Sequence, residues 1–330
     1  MPLIVPTLVH GLVFCLLALS VAITWRMYSF PDLTVDGSVT TGAAVAMVCI
    51  LSGMHPAWAT VLGMLAGAAV GALTGVLHAV FHVNRLLAGI LVMSALYSVN
   101  LHIMSGSGLA VQDERTLVTM ADELGAMLLA GDSTFVLLGQ DVPSGTLVFF
   151  LFLLVVAALV VGGLALFLAS DAGIALRASG GNERMMRAQG VHTGVMFVLA
   201  VAISNALAAA AGAIYAQYVY SVDIALGIGM IIRGLAYVII GQALIRSESV
   251  RGMLLSAVVG AVIYEILLAV ILQIGDFHND LRLITALFVL FALGLQHFMR
   301  KVRGVRRSGV RPHASGSPAT AAGVDEGGVA

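Results

Sequence analysis

The charged residues that interrupt apolar stretches are the first candidates for chemistry in this chain. Arg233 lies in the apolar stretch 227–245, and Glu265 lies in the stretch 251–273. Charged side chains inside a membrane are costly, are usually paired and often serve a function. Adjacent antiparallel helices can bring these two residues together as a gate or substrate contact, or as a purely structural ion pair. Arg233 can alternatively extend toward the membrane surface.

The uncharged polar residues of the apolar stretches offer hydrogen bonds rather than catalysis. Asn205, Gln217 and Gln242 can line a path or bond one helix to another. His78 and His82 are four positions apart and could share a metal ion. No third ligand lies near them in the sequence, so we predict no metal site. We interpret both histidines as residues at the membrane–water interface, at the end of a predicted span.

The sequence lacks the common motifs of catalysis. Its only lysine, Lys301, follows Arg300, which excludes a nucleotide-binding G-x-x-x-x-G-K-[ST] loop. Neither H-E-x-x-H nor G-x-S-x-G occurs in the sequence. We therefore predict that the chain is not an enzyme, holds no cofactor and has no ATPase site of its own.

The composition indicates that lipid surrounds most of the chain. Of 330 residues, 60% are hydrophobic and 10% charged, and the mean hydropathy is +1.04. A soluble domain carries about 25% charged residues, and polar surface on this scale does not cover so large an apolar fraction. This excludes a soluble enzyme, a nucleic-acid-binding protein and a disordered chain. It predicts an all-α, polytopic helical bundle in a lipid bilayer.

Nine apolar stretches are predicted to be membrane spans, for which a helix needs about 20 residues. They are 7–25, 38–53, 56–78, 85–104, 146–168, 193–216, 227–245, 251–273 and 282–299. With nine spans, most of the 16 basic residues fall on the side that holds the C-terminus. The positive-inside tendency then places the N-terminus outside and the C-terminus in the cytoplasm. We expect a transmembrane domain over 1–299, then a basic segment and low-complexity tail over 300–330.

The third predicted span has a face of small residues. Glycines recur there at every fourth position: Gly63, Gly67, Gly71 and Gly75. This spacing places them on one face of a helix, where a neighbouring backbone can approach closely. The pattern predicts tight helix packing and indicates nothing about a substrate.

The longest connection, residues 105–145, lies on the predicted outer side. Its apolar residues recur at helical spacing: Leu117, Met120, Ala121, Leu124, Met127 and Leu128. Asp122 and Glu123 lie opposite this stripe, so the segment is predicted to be an amphipathic surface helix. It is either a docking surface for an external partner or a packed lid without one.

Two short segments separated by five spans resemble each other. Residues 28–37 and 220–229 both contain Tyr-Ser, then Asp with an aliphatic residue, then Gly before a new apolar run. An odd number of spans inverts the second copy, and inverted repeats with Gly- or Pro-interrupted segments mark transport pathways. We predict an inverted repeat, with two ordinary Gly/Asp turns as the alternative. The predicted translocation path comprises Asp32, Asp36, Gly37, Asn205, Gln217, Asp223, Gly227, Gly229, Arg233 and Glu265.

The connection over about 170–192 is polar and compatible with a short helix. Asn182 is the expected N-cap of this helix, and Gly190 is the expected stop. An exposed short helix between two spans can dock into a groove of another protein. The alternative is a plain connector.

Three segments in order resemble one family of bacterial membrane proteins. They are FPDLTVDGS at 30–38, RASGGNERMMRAQGV at 177–191, and the stretch 204–244. The second resembles the coupling loop of ABC importer permeases of the branched-chain amino acid and ribose class. All three are most similar to the tryptophan/tyrosine-type, largely uncharacterised branch of that class, and together they anchor about residues 8–299.

The resemblance implies an importer in the bacterial inner membrane. Two permease copies, as in a homodimer, would pair with two cytoplasmic ABC ATPase subunits. An external binding protein would deliver a small solute such as an amino acid. The helix around 181–190 would insert into the ATPase, whose ATP-driven closure would switch the path from inward-facing to outward-facing. The coupling residues would be Arg177, Gly181, Asn182, Arg184, Arg187 and Gly190.

The chain departs from the family pattern at a few positions. Met185 and Met186 stand where the family tends to have Ala-Ala. The branch usually has an aliphatic residue at the position of Arg233 and often a basic one at Glu265, so these two changes can compensate each other. The alternative functions are a stand-alone, ion-coupled secondary transporter, for which Glu265 is the one embedded carboxylate, and an auxiliary membrane protein without transport.

Overall fold

Seven helices in the described part of the computed structural model are long and apolar enough to cross a membrane. The structure describes residues 4–111, 114–128, 134–137, 140–247 and 249–274, with single positions at 283, 284, 286, 287, 290 and 294. The helices are α1 (Ile4–Tyr28), α2 (Thr34–Leu51), α3 (Pro56–Ala79), α4 (Arg85–Met104), α5 (Leu117–Leu128), α6 (Ser144–Ala169), α7 (Asp171–Gly181), α8 (Glu183–Ala188), α9 (Thr193–Val219), α10 (Met230–Leu244) and α11 (Val250–Ile274). Two antiparallel strand pairs complete the fold, and the strands are β1 (Gly108–Ala110) with β4 (Ser221–Asp223), and β2 (Thr134–Leu137) with β3 (Gln140–Pro143).

The all-α membrane fold is confirmed, but one predicted span is wrong in length. The stretch 227–245 contains only α10, which has 15 residues. Such a helix is about 22 Å long, shorter than a hydrocarbon core of about 30 Å. A strand and a turn occupy 221–229 instead. Most of the predicted span 282–299 and the whole tail 300–330 lie outside the described residues, so the count of nine stays a prediction.

The helices run between two ends of the bundle, which we name by the short helices found there. At the α8 end, the chain leaves α1 at Tyr28, and Gly180 of α7 packs against the backbone of Met27. At the α5 end, the backbone N–H of Leu117 donates to the side chain of Gln217, near the end of α9, at 3.2 Å. Helix α1 therefore runs toward the α8 end and α9 runs away from it.

Two sets of helices repeat the same contacts in opposite directions. Helices α1 and α9 pack together, and each leads into a non-helical segment and then a helix that begins inside the bundle. Helix α2 packs on α3 and α9, as α10 packs on α11 and α1. Helix α3 packs on α9, as α11 packs on α1. This arrangement is that of an inverted repeat.

The four glycines at every fourth position of α3 lie buried against α9. A Cβ added to Gly67 would overlap Ala209 and Asn205 of α9, and one added to Gly75 would lie 2.7 Å from the Cα of Val198. The absence of side chains here lets the two backbones approach closely. This contact holds α9 in place beside α2.

Helix α5 packs on α6 through only part of its apolar stripe. Leu117 and Ala121 are buried, whereas Leu124 is 47% and Met127 84% exposed. Asp122 lies against Gly145 in the first turn of α6, and burial raises the pKa of this carboxyl. The segment thus contains a helix with one apolar edge packed and the other open, and its location on the outer surface stays a prediction.

Candidate functional site

The segment after α1 leads the chain back into the bundle. Asp32 is fully buried and accepts hydrogen bonds from the backbone N–H of Thr34 at 3.0 Å and from Nδ2 of Asn205 at 2.7 Å. The hydroxyl of Ser38 donates to Oδ1 of the same Asn205 at 2.7 Å. Because Asn205 lies halfway along α9, helix α2 begins at the middle depth of the bundle.

The segment after α9 returns from the α5 end to the same depth. Gly229 has φ of +86°, a left-handed conformation that favours glycine. Helix α10 starts directly after it without a side-chain cap from its own segment. The Asp36 carboxylate of α2 supplies the cap instead, because it accepts from the backbone N–H of Gly229 at 2.9 Å and of Ile231 at 2.7 Å. A carboxylate at a helix N-terminus is also favoured by the helix dipole.

The turn before α10 lies directly on the backbone of α2. The N–H of Gly227 donates to Oγ1 of Thr40 at 3.0 Å. A Cβ at position 227 would overlap the carbonyl oxygen of Asp36. Glycine is therefore required here by close approach, and the two similar sequence segments meet at Asp36.

A cavity of about 310 Å³ opens beside this meeting point. It combines the acidic side chain of Asp36 with amide and hydroxyl groups and with apolar and aromatic walls. Its lining residues are Asp36, Gly37, Thr40, Met93, Ser94, Tyr97, Asn100, Ile224, Gly227 and Ile228. Small-molecule sites have this mixture of apolar walls and a few polar groups.

Helix α4 supplies a wall of this cavity that the sequence analysis missed. Its contributions are Met93, Ser94, Tyr97 and Asn100. The spacing of one, three and three residues places them on one helix face, and this polar–aromatic stripe is the signal that could have found them. The hydroxyl of Thr41 donates to Oδ1 of Asn100 at 2.9 Å and so fixes α4 to α2.

Only three residues of the predicted path line the cavity, namely Asp36, Gly37 and Gly227. The others lie outside it, namely Asp32, Asn205, Gln217, Asp223, Gly229, Arg233 and Glu265. Gln217 donates to Oγ1 of Thr60 at 2.8 Å and thus ties α9 to α3. Asp223 is exposed and accepts from the N–H of Ala225 at 2.7 Å, within the turn after β4.

Arg233 and Glu265 form an ion pair between α10 and α11. An Nη of Arg233 lies 2.8 Å from Oε1 of Glu265, and the Tyr237 hydroxyl donates to the same oxygen at 2.6 Å. The guanidinium carbon lies 4.7 Å from the ring centre of Phe14 in α1. Glu265 is 4% exposed, so its charge is neutralised by Arg233 inside the bundle. The pair joins three helices and lies outside the cavity.

The connection 170–192 consists of α7 and α8, both at the α8 end. Oδ1 of Asn182 accepts from the N–H of Met185 at 3.0 Å and caps α8. Gly190, with φ of +83°, follows the end of α8. Met186 is buried, whereas Met185 is 45% exposed beside the exposed Arg184. Helix α8 thus presents the apolar Met185 and the basic Arg184 outward, and Arg187 is exposed as well.

The other predicted coupling residues either bond to neighbouring side chains or have few neighbours. Arg187 donates to Glu183 at 2.6 Å and to Oγ1 of Thr193 at 2.9 Å. Arg177 is half-buried, and Gly181 has open space around its Cα. In the part of the chain that the structure describes, no group of three metal-binding side chains occurs.

The chain is similar in sequence to one known protein family and to individual bacterial proteins. The family described as "Branched-chain amino acid transport system / permease component" matches residues 3–294. A tyrosine transport system permease protein of Clostridioides difficile is 31% identical over 287 residues, which cover 87% of this chain and 89% of the relative. An uncharacterised protein of Rickettsia prowazekii is 29% identical over 297 residues, covering 89% and 97% respectively.

A solved structure of a metal-chelate type ABC transporter in an inward-facing conformation is also similar. It has a TM-score of 0.48 and 17% sequence identity, with 89% of this chain and 84% of that chain covered. The predicted family is confirmed by the sequence matches. Because the family match extends over residues 3–294, the chain belongs to the branched-chain amino acid transport system / permease component family, as a membrane-spanning permease.

Proposed function

We propose that this permease forms the import path for an amino acid, which an external binding protein delivers and a separate ATPase drives inward. The observation that carries the proposal is the cavity beside Asp36, where two helices begin at the middle depth of the bundle. Discontinuous helices of this kind form substrate sites in many transporters. The cavity volume of about 310 Å³ lies at the lower end of the range for small-molecule sites.

The lining of the cavity suits a zwitterion with an apolar side chain. The Asp36 carboxylate can attract an ammonium group, and the Asn100 and Ser94 side chains can bond a carboxylate. Tyr97, Met93 and Ile228 offer an apolar and aromatic surface for the rest of the molecule. The similarity to a tyrosine transport permease supports an aromatic amino acid as the substrate.

Helix α8 is the proposed docking element for the ATPase. It has a fixed start at Asn182 and presents Met185 and Arg184 outward. An exposed apolar side chain beside a basic one is suited to a groove on a soluble partner. The sequence has no nucleotide-binding loop, so the energy source has to lie in that partner.

The proposed orientation places the α8 end in the cytoplasm, with the N-terminus outside and the C-terminus inside. Among the described residues, the basic side chains at this end are Arg26, Arg85, Arg177, Arg184, Arg187, Arg246 and Arg251. At the α5 end the described basic residue is Arg115, beside Glu114 and Glu123. The positive-inside tendency supports this assignment. A second permease copy would complete the path.

Purification of the tagged chain in mild detergent tests the partner. We expect an ATPase with a nucleotide-binding loop to co-purify in equal amount. Replacement of residues 181–190 by a Gly/Ser linker should abolish its recovery, while replacement of the exposed Glu114 and Arg115 at the α5 end by Gly and Ser should not. A chain that purifies alone while its ATPase is expressed contradicts the proposal.

Uptake into proteoliposomes tests the substrate, with the ATPase and binding protein present. We expect ATP-dependent uptake of labelled tyrosine. Tyr97→Ala should reduce tyrosine uptake about tenfold by removing aromatic contact. Phe152→Ala is the matched control, because Phe152 is 40% exposed on α6 and lies outside the cavity. Equal losses in both variants would contradict an aromatic substrate in the cavity.

The same proteoliposomes distinguish an ion-coupled carrier. That alternative needs an embedded carboxylate that is free to exchange a proton or bind sodium. The prediction that Glu265 is the one embedded carboxylate is wrong, because Asp32 and Asp36 are also buried inside the bundle. Glu265 is bonded to Arg233 and Tyr237, Asp32 to Asn205, and Asp36 to the backbone N–H groups before and within α10. All three carboxylates thus have structural partners, which favours the ATP-driven importer. Uptake that follows a proton or sodium gradient without ATP would establish the carrier.

A further inference from the structure

Arg85, the first residue of α4, contacts four other elements at the α8 end. Its Nε donates to Nε2 of His78 at 3.2 Å, at the end of α3. Its guanidinium carbon lies 5.0 Å from the ring centre of Phe197 in α9 and 5.7 Å from that of Tyr28 in α1. One of its Nη atoms lies 3.3 Å from Oε2 of Glu183 in α8. A single side chain thus connects α8 to three membrane helices and to α4.

Glu183 fixes the other side of this contact. Its Oε1 accepts from Arg187 at 2.6 Å and from the Thr193 hydroxyl at 3.2 Å. Glu183 is also the first residue of α8, directly after the Asn182 cap. Arg187 holds the carboxylate to its own helix, Thr193 holds it to the start of α9, and its second oxygen is the bond from α8 to α4.

The surroundings of Arg85 leave room for a second arrangement. A cavity of about 220 Å³ lies among these residues. Two of the residues that line it, Tyr28 and Ser179, have buried hydroxyl oxygens without a hydrogen-bond partner among the described residues. The cluster around Arg85 therefore borders open, partly polar space on one side, and its side chains are not closely packed there.

Helix α4 extends from this cluster to the substrate cavity. Tyr97 and Asn100 follow Arg85 by 12 and 15 positions, which is about 18–23 Å along an α-helix. Gly89, one turn from Arg85, packs on the backbone N–H of Leu33, beside Asp32. A displacement of Arg85 along the helix axis would therefore reach the cavity wall and the start of α2.

We propose that Arg85 is the positioning residue that passes movement of α8 to the substrate cavity through α4. This inference rests on the proposed importer function and identifies the contact that couples its two sites. When the ATPase displaces α8, Glu183 pulls Arg85, and α4 carries Tyr97 and Asn100 with it. The ion pair acts as a mechanical link, so its loss separates ATP hydrolysis from transport.

The test measures substrate taken up per ATP hydrolysed by the reconstituted importer with its ATPase and binding protein. Arg85→Met and Glu183→Gln should each lower this ratio about tenfold, with ATPase recovery and ATP hydrolysis retained. The double variant should lower it no further than either single variant, because both interrupt one contact. Arg85→Lys, which keeps the charge toward Glu183, should restore part of the ratio.

The matched control is Arg115→Met at the α5 end. Arg115 forms an exposed ion pair with Glu123, which raises the pKa of Arg115, and its loss should leave the ratio unchanged. Multiplied losses in the double variant, an unchanged ratio in Arg85→Met, or loss of the bound ATPase would each overturn the link. Wild-type protein without ATP-driven uptake would instead overturn the proposed function itself, and the link with it.

Discussion

The two helices that begin inside the bundle differ in how their first turns are held. Helix α2 is held by a residue of its own segment, since Asp32 accepts from the N–H of Thr34 two positions later. Helix α10 follows Gly229 and has no cap from its own segment. It depends on Asp36 of α2, which lies far away in the sequence. At equivalent positions of the repeat, the first turn of α2 is thus capped by a neighbouring residue and the first turn of α10 by a residue of another helix.

This difference indicates which of the two helices can move. The start of α2 is enclosed by α9 and by its own side chain, and Asp32 is fully buried. The start of α10 is bonded through one carboxylate that also lines the cavity. A ligand that competes for this carboxylate would loosen α10 and leave α2 in place. The comparison therefore predicts that perturbations have larger effects on α10.

The largest expected effect comes from the ion pair that anchors α10 to α11. Arg233→Met or Glu265→Leu alone leaves an uncompensated buried charge and should lower the free energy of unfolding by about 3–5 kcal/mol. The double variant should recover most of this loss, because no charge remains buried. Thermal unfolding in detergent measures it. A double variant as unstable as both singles would refute the pair as the cause.

Transport by that double variant then assigns the role of the pair. Uptake equal to that of the wild type means that the pair is only structural. Loss of uptake with recovered stability means that Arg233 or Glu265 takes part in gating or in substrate contact. This experiment decides between the two interpretations that the sequence left open.

The next largest effect is expected from removing the Asp36 carboxylate, which caps α10 from α2. Asp36→Ala leaves the N–H groups of Gly229 and Ile231 without an acceptor, which should cost about 2–4 kcal/mol in local stability. Asp36→Asn retains one oxygen and should cost about half as much. Hydrogen exchange should increase over 229–235 and remain slow in α2. Faster exchange in α2 instead of α10 would contradict the tertiary cap.

A pair of glycines gives a smaller and more selective effect. Gly227→Ala should cost about 1–3 kcal/mol, because its Cβ meets the rigid carbonyl of Asp36. Gly37→Ala should cost less, because its Cβ lies 2.6 Å from the movable end of the Leu96 side chain. Unfolding midpoints of the two variants provide the measurement. A larger loss in Gly37→Ala would reverse the comparison.

The smallest expected effect concerns two threonines of α2. Thr40→Val removes the acceptor of the Gly227 N–H and should cost about 1 kcal/mol. Thr34→Val removes the bond to the Thr74 hydroxyl, which lies 3.0 Å away. The Thr74 hydroxyl can still donate to the carbonyl of Val70, so this cost should be smaller. Thr40→Val should also lower the uptake rate more than Thr34→Val does. Equal uptake rates would show that transport does not depend on the bond between Thr40 and the turn before α10.

Much of the fold was predictable because it depends on composition and local chemistry. Long apolar runs require helices in lipid, since every backbone polar group needs an internal partner there. The cap at Asn182 and the left-handed Gly190 follow from neighbours within one turn. The short α10 was not predictable, because its apolar residues continue the pattern of a full span. Its start is set by Gly227 and Gly229 contacting a distant helix.

By itself, the sequence determined the lipid environment of this protein, its long helices and its family, because each depends on residue types within the sequence and not on contacts between distant helices. The tertiary structure alone decided which polar residues share a site. It assigned Asp36 to the cavity and to the cap of α10, assigned Asp32 to the packing against α9, and brought Tyr97 and Asn100 into the wall. These placements depend on how helices far apart in the sequence approach each other, and that approach is set by the packing of glycine and alanine faces.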